Sequence, residues 1–156
     1  MAVQNKSPKQ RCLVLVRVMP DAVHEMSAEP TGYIFIRKSR GLTTYLSLPG
    51  AHMTRCGEQP SEAIARILQS QTRLSAKPEA FQFVGDFLTT KLTHLFTVNI
   101  PVSEIPWLDE GREDFMPLYL KQIEFQSAFT EGRLKISHYQ YLIDARLFSP
   151  PEQVAA

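Results

Sequence analysis

Apolar and polar residues alternate in short runs along the first third of the chain, and this pattern predicts three β-strands. RCLVLVRVM, residues 11–19, is almost wholly apolar and rich in β-branched residues between polar flanks, which is typical of a strand buried on both faces. GYIFIRKSR, residues 32–40, places aromatic and isoleucine side chains on opposite faces. A tight turn near residues 39–41 leads into the third strand, residues 41–50, and the segment 21–31 is predicted to be a loop.

A helical period begins after residue 59. Pro60 suits the first turn of a helix, and Glu62 follows within that turn, where the helix dipole favours a carboxylate. Glu62 and Arg66 are spaced for an ion pair on one helix face. The apolar stripe consists of Ala63, Ile64, Ile67 and Leu68. We therefore predict a helix over residues 60–72 that packs against the sheet containing the first strand.

Strand and helix patterns return in the second half of the chain. Residues 81–101 form a predicted hairpin that turns at 89–91. The segment 117–132 mixes strand and helix signals, and a short helix is predicted to end at its terminal glycine. A final helix is predicted over 137–148 with Ser137 as its N-cap. The order of strands, helix, strands and helix predicts an α+β fold built on a mixed sheet.

Length and the polar ends of the chain predict a single domain. The 156 residues are enough for one substantial hydrophobic core. Residues 1–10 are polar and basic and are predicted to form a flexible arm, and residues 149–156 form a predicted C-terminal tail. The folded domain is therefore expected to span residues 11–148.

Composition favours a cytoplasmic protein and disfavours several partners. Charged residues make up 21% of the chain with a net charge of +1, so no overall field attracts nucleic acid or an anionic membrane. No apolar run approaches the roughly 20 residues of a membrane-spanning helix, and no secretory signal is expected at the N-terminus. Cys12 and Cys56 are expected to stay reduced. Basic stretches at residues 6–11 and 37–40 leave RNA as a less favoured partner.

Residues 48–74, LPGAHMTRCGEQPSEAIARILQSQTRL, resemble a Nudix box that has lost several of its residues. The family pattern is a glycine, five residues, a glutamate, seven residues, then Arg-Glu, an aliphatic residue, any residue, Glu-Glu, any residue, a glycine and an aliphatic residue. Gly57 and Glu58 match the family's Gly-Glu pair, and seven residues separate Glu58 from Arg66, as in the family. Other residues in register are Pro49, Gly50, Pro60, Ala63, Leu68 and Leu74.

The departures fall on the residues that would hold a metal ion. One extra residue lies before Glu58, and the family's three helical glutamates fall on Ile67, Ser70 and Gln71. At about 100° per residue these positions share one helix face, which in an intact box is a cluster of carboxylates. Mg²⁺ prefers several charged oxygen ligands, and Glu58 alone could hold only a weakly bound, mostly hydrated ion. The resemblance therefore implies a Nudix-like α/β/α sandwich without the standard metal site.

Three functions are compatible with this motif. The first is binding of a nucleoside diphosphate derivative, such as ADP-ribose or a dinucleotide, with impaired or absent hydrolysis. The second is an active pyrophosphohydrolase that cleaves a P–O–P bond with metal-activated water, and Mg²⁺ is expected as a cofactor only in this case. The third is an RNA-binding or protein-interaction module with a vestigial pocket. Analogy with the family adds a homodimer as a candidate oligomeric state.

The candidate ligand-binding residues are cationic or aromatic. His52, Arg55 and Arg66 are the candidate phosphate-side groups, because imidazole and guanidinium groups bind phosphate oxygens. Trp107 is a candidate ring for stacking on a nucleobase or nicotinamide ring. The structural alternatives are an exposed loop histidine, an ion pair between Arg66 and Glu62, and a core anchor at Trp107.

The candidate catalytic residues are the remaining acids and one arginine. The resemblance implies that, in an active enzyme, Glu58 would hold the metal ion and Arg66 would orient the site. The acidic loop LDEGRED, residues 108–114, would supply the base, and Glu113 is the candidate chosen from it. The structural alternatives are a loop glutamate favoured by the helix dipole and a solvated acidic loop.

Overall fold

A seven-stranded mixed sheet organises the part of the chain that the computed structural model describes, residues 9–21, 29–108 and 116–149. The strands are β1 (Gln10–Met19), β2 (Gly32–Arg40), β3 (Thr43–Ser47), β4 (Gly50–His52), β5 (Gln82–Leu88), β6 (Leu92–Pro101) and β7 (Pro117–Lys121). The helices are α1 (Pro60–Thr72), α2 (Gln122–Thr130) and α3 (Ile136–Asp144), with 3₁₀ turns at Pro78–Ala80 and Val102–Glu104. The strand order is β3-β2-β1-β6-β5, with β4 beside β1 and β7 beside β2.

The strand β1 is the frame of the sheet, because its two edges are used differently. On one edge it pairs in parallel with β6 along its whole length. On the other edge, residues 16–18 pair with β2 and residues 11–13 pair with β4, both antiparallel. The sheet therefore opens into a fork beside β1, and the chain leaves β4 at this fork to reach α1.

Both faces of β1 are buried, as its sequence predicts. One face, formed by Cys12, Val14, Val16 and Val18, packs with the apolar side chains of α1. The opposite face carries Leu13 and Leu15, which belong to the cluster that includes α2 and α3. Burying each such aliphatic side chain contributes about 1.5–3 kcal/mol. The predicted α+β fold with helices on both faces of a mixed sheet is confirmed.

The predicted helix over residues 60–72 has the observed bounds of α1, and the predicted hairpin corresponds to β5 and β6. The predicted third strand divides into β3 and β4, which are separated by Leu48 and Pro49. The segment 117–132 contains a strand before its helix, and that helix ends at Thr130 rather than at its glycine. The predicted loop 21–31, the N-terminal arm and the C-terminal tail lie mostly outside the described residues.

The final helix was predicted to begin after an N-cap at Ser137, and this prediction is wrong. The helix α3 begins at Ile136 with Lys135 in the N-cap position, and it ends at Asp144. The Lys135 N–H donates to the carbonyl of Leu46, and the Leu46 N–H donates to the carbonyl of Arg133. This pairing with β3 holds residue 135 outside the helix, so the helix begins directly after it.

Both cysteines are free thiols, as predicted. Cys12 is buried under α1, and burial raises the pKa of its thiol to about 12. Cys56 is exposed in the loop before α1. Every helix in the described residues is too short or too polar to serve as a membrane-spanning segment.

We predict that Gly50→Ala destabilises the fold, because a Cβ at this position would overlap the carbonyl oxygen of Cys12 and the side chain of Leu13. Overpacking of this kind costs about 1–3 kcal/mol. Gly85→Ala is the matched control, since its Cβ would meet only the Phe87 ring at 3.9 Å. Urea unfolding of both variants measures the difference, and equal stabilities of the two variants would contradict the close approach of β4 to β1.

Candidate functional site

Glu58 and Arg66 form an ion pair at the start of α1. Gly57 has a positive φ of 79°, which turns the chain into Glu58 just before the helix. Arg66 reaches back along the helix, and its Nε and Nη2 donate to the two carboxylate oxygens of Glu58 at 3.1 and 2.9 Å. These bonds hold the pKa of Glu58 below its usual value.

The predicted pair between Glu62 and Arg66 is therefore wrong. The guanidinium of Arg66 lies against Glu58, whose position is fixed by the turn before the helix, and Glu62 is exposed to solvent. A guanidinium binds a carboxylate with two parallel hydrogen bonds when the geometry allows, and the fixed turn provides that geometry. Because the two charges are paired with each other, Arg66 is not a free cation for a phosphate and Glu58 is not a free ligand for a metal ion.

Gln71 joins α1 to β4 with two hydrogen bonds. Its Oε1 accepts from the Gly50 N–H at 3.0 Å, and its Nε2 donates to the Gly50 carbonyl at 2.8 Å. An amide has both a donor and an acceptor, whereas a carboxylate at this position could satisfy only the N–H. Gln71, at the position of the last family glutamate, therefore links α1 to the backbone of β4.

The residues of the box do not fit a magnesium site. Ile67 is only 3% exposed and belongs to the core, while Ser70 is exposed and uncharged. Gln71 is engaged with Gly50 and Glu58 with Arg66. Within the part of the chain that the structure describes, no three histidine, cysteine or acidic side chains are grouped so as to hold a metal ion. Magnesium needs several charged oxygens, and this helix face offers none that is unpaired.

Trp107 is a core anchor. Its indole is 5% exposed and packs in the cluster around α1. Its Nε1–H donates to the carbonyl of Thr72 at 2.8 Å, one of the carbonyls that the end of α1 leaves unpaired. The ring face is therefore closed to a nucleobase in this fold. Glu113 and its neighbours Asp109, Glu110 and Asp114 lie outside the described residues.

The other sequence-predicted residues lie in two separate openings. Arg55 and Glu58 line a shallow cavity of about 510 Å³ beside the turn that precedes α1. His52 lies on β4 rather than in a loop, and it lines a second cavity of about 370 Å³. Its pKa is lowered by partial burial and then by Lys91, Arg11, Lys9 and Lys135. The structure therefore brings Glu58, Arg66 and Arg55 near each other and places His52 elsewhere.

The second cavity, here called the cationic pocket, is lined by strands β1, β2 and β4, by Gln71 and by the start of α3. Its charged lining side chains are Arg11, Lys38, Lys91 and Lys135. None of the acidic residues in the described ranges lines it. The ion pairs formed among those ranges include none of the four cations. Arg11 and Lys38 belong to the two basic stretches noted in the sequence, but the cluster itself could not be predicted, because its four members come from distant segments.

Two of the cations are held in place. Arg11 donates to the Thr93 hydroxyl oxygen at 3.1 and 3.3 Å and to the Tyr141 hydroxyl oxygen at 3.1 Å. Lys135 is held through its backbone, whose N–H pairs with β3 at the start of α3. Its pKa is lowered by burial and then by the charges of Arg11, Lys38 and Lys91. The four positive charges are therefore close enough to repel one another.

His138 closes the inner wall of the cationic pocket. It is 3% exposed, and its Nδ1 accepts from the Leu48 N–H at 3.0 Å. The ring proton of the neutral form must therefore be on Nε2, which has no hydrogen-bond partner within the described residues. Burial, followed by Lys135, Arg11 and Lys38, lowers the pKa of His138 to about 3. The ring is thus a neutral donor with an unused N–H.

We predict that His138 makes the fold less stable in mild acid. The unfolded chain takes up a proton near pH 6.5 and the folded chain only near pH 3, so stability is full above pH 6.5 and falls between these values. The slope is about 1.4 kcal/mol per pH unit for one proton. His138→Asn, which stays neutral and keeps an acceptor for Leu48, lacks this loss. Urea unfolding at pH 7, 6 and 5 compares the two proteins, and parallel pH profiles would contradict the neutral buried ring.

Comparison with known proteins shows what the fold is. No protein-family model matches the chain, and no curated protein matches it. A mutT/nudix family protein from Listeria innocua superposes with a TM-score of 0.63 at 16% identity, covering 91% of this chain and 94% of that one. A bifunctional NMN adenylyltransferase/ADP ribose pyrophosphatase from Francisella tularensis gives 0.62 at 16% identity, covering 91% and 41%. The MERS1–RNA complex of T. brucei gives 0.53 at 13% identity, covering 80% and 55%. The chain therefore has a Nudix fold.

Proposed function

We propose that this chain with a Nudix fold binds a nucleoside diphosphate derivative, such as ADP-ribose or a dinucleotide, and has lost efficient hydrolysis. This proposal is supported chiefly by the helix face that would hold the metal ion in an intact box, because its side chains are not available as metal ligands. Ile67 is in the core, and the Gln71 amide is bonded to Gly50. Of the two acids in the box, Glu58 is paired with Arg66 and Glu62 is exposed in the first turn of α1. A diphosphate must then be held by protein donors directly.

The cationic pocket is the better of the two openings for an anion. The cavity beside Glu58 contains two cations, Lys9 and Arg55, but it also contains a carboxylate, which repels phosphate. The cationic pocket has no carboxylate among the described residues and borders β4, the short strand inside the box that precedes α1. His52 is the one residue of the predicted set that lines it. Guanidinium and ammonium groups are strong donors to phosphate oxygens. His52 therefore belongs to the proposed ligand site, and the buried Trp107 does not.

Two alternatives are tested by the same experiments. A pyrophosphohydrolase would use Glu58, Arg66 and Glu113 together with Mg²⁺, and the Francisella protein with this fold has ADP ribose pyrophosphatase in its name. An RNA-binding module is favoured by the four cations, which form no ion pair within the described residues, and by the occurrence of the fold in an RNA complex. Both alternatives predict results different from those expected of a binder of small nucleotides.

We predict very slow hydrolysis of ADP-ribose and of nucleoside triphosphates in Mg²⁺, because the box residues do not fit the metal. Glu58→Gln should leave the residual rate unchanged, since its carboxylate already bonds to Arg66. Product formation is followed by anion-exchange chromatography over several hours. A turnover on the order of 1 s⁻¹ or more, abolished by Glu58→Gln, would establish the hydrolase.

We predict that ADP-ribose binds no more tightly in millimolar Mg²⁺ than in EDTA. In an intact box the metal bridges the helix and the diphosphate, so metal and ligand affinities are coupled. Here the contacts are charge-assisted and direct, so added salt should weaken binding. Titration calorimetry in the two buffers measures this. A tenfold tightening by Mg²⁺, about 1.4 kcal/mol, would show a metal site that includes residues outside the described ranges.

A further inference from the structure

The cationic pocket carries more positive charge than a diphosphate diester can neutralise. Such a diester has about two negative charges, since each internal phosphate carries one. The pocket presents Arg11, Lys38, Lys91 and Lys135 with no carboxylate among the described lining residues. Like charges held together in a partly buried site repel, so the site favours an anion of matching charge. A triphosphate monoester carries about four negative charges near neutral pH.

We propose that the cationic pocket binds the metal-free polyphosphate chain of a nucleoside triphosphate, with its four protein cations in place of the magnesium ions of an intact Nudix box. This inference rests on the proposed function and refines it, because it names the charge class of the ligand. It also assigns the binding groups. The four cations, Arg11, Lys38, Lys91 and Lys135, neutralise the chain.

His138 is a buried donor beside the pocket, and its Nε2–H has no partner within the described residues. An unpaired buried donor is costly unless a partner completes it, and phosphate oxygens are strong acceptors. The ring lines the pocket, and its other nitrogen is already bonded to the Leu48 N–H. The start of α3 lies at the same wall and has no side-chain cap, so its first N–H groups also favour an anion. These features point to a compact phosphate group inside the pocket.

Magnesium should oppose this binding. In solution Mg²⁺ binds the β- and γ-phosphate oxygens of a nucleoside triphosphate and removes about two of its negative charges. The Mg²⁺ complex then offers the protein cations less charge and fewer open oxygens. A site that works through lysine and arginine therefore selects the free nucleotide, whereas an intact box needs the metal.

The pocket fits a compact anion better than an RNA strand. Its volume is about 370 Å³, and its inner wall includes the buried ring of His138. Single-stranded nucleic acid is usually held by an extended groove with exposed aromatic rings. Tyr141, the aromatic ring beside Arg11, is buried. Terminal phosphates are the most highly charged part of a nucleotide, so they suit a small cationic pocket best.

Calorimetry with the full chain tests the proposal, using ATP, ADP-ribose, tripolyphosphate and a single-stranded oligonucleotide, each in EDTA and in excess Mg²⁺. ATP in EDTA should bind at least about tenfold more tightly than ADP-ribose. The additional charge of ATP allows at least one more charge-assisted hydrogen bond, and such a bond contributes about tenfold or more in affinity. Tripolyphosphate should compete with ATP. Excess Mg²⁺ should weaken ATP binding severalfold and leave ADP-ribose binding unchanged.

Matched variants test the groups. Lys135→Gln and Lys91→Gln should each weaken ATP by about tenfold and ADP-ribose by less. Lys77→Gln, at an exposed lysine that does not line the pocket, is the control and should change neither affinity. Circular dichroism checks that each variant is folded.

The results separate this inference from the proposed function. Equal affinities for ATP and ADP-ribose, with no effect of the lysine variants, would overturn the inference and leave the proposed function standing. Tighter ATP binding in Mg²⁺ than in EDTA would also overturn it. Binding of the oligonucleotide alone would overturn both and favour the RNA-binding alternative. Binding of tripolyphosphate but of no nucleotide would uphold the charge class of the pocket and overturn the proposed function.

Discussion

The two hydrogen bonds between the Gln71 amide and the Gly50 backbone are the interaction on which the site depends. They tie α1 to β4, while the other edge of β4 pairs with residues 11–13 of β1. Gly50 has no room for a side chain, because it lies against the backbone of Cys12. The helix, the short strand and the centre of the sheet are therefore joined at one residue. A glutamate in place of Gln71 would leave the Gly50 carbonyl without its donor.

This tie changes the electrostatics of the region. In an intact box the same helix face presents carboxylates and the cations come from solution. Here the helix face is apolar or amide, and the cations belong to the protein at Arg11, Lys38, Lys91 and Lys135. Gln71, at the position of the last family glutamate, lines that pocket, so this position and the four cations border the same cavity. The fold is kept, while the charged side chains that line this pocket among the described residues are all cationic.

The elements with strong local signals could be predicted from the sequence. The bounds of α1 follow from Pro60 and the apolar stripe, and the burial of Ile67 follows from its place in that stripe. The replacement of the three family glutamates by Ile67, Ser70 and Gln71 is also visible in the sequence. The start of α3 could not be predicted, because the pairing of Lys135 with Leu46, nearly ninety residues away, decides it. The partner of Arg66 could not either, because the Gly57 turn determines where Glu58 lies.

The cationic pocket lay beyond sequence reasoning for the same reason. Its four cations come from two strands, a hairpin turn and a helix start, and none belongs to a recognisable motif. His138 offered only a weak signal, since a histidine near a helix start is ordinary. Its Nε2 carries the ring proton because Nδ1 accepts from the Leu48 N–H at the break between β3 and β4, and Nε2 has no partner in the part of the chain that the structure describes. Such sites arise from long-range packing and need coordinates to be seen.

The central claim is that protein cations have replaced the metal site of the box. The most direct measurement is a titration of the ¹⁵N-labelled protein with paramagnetic Mn²⁺, which broadens amide signals near any bound ion. The account predicts no selective broadening of Gly50, Glu58 and Gln71 at low Mn²⁺ concentrations. Saturable broadening of these three amides that is lost in Glu58→Gln would contradict it.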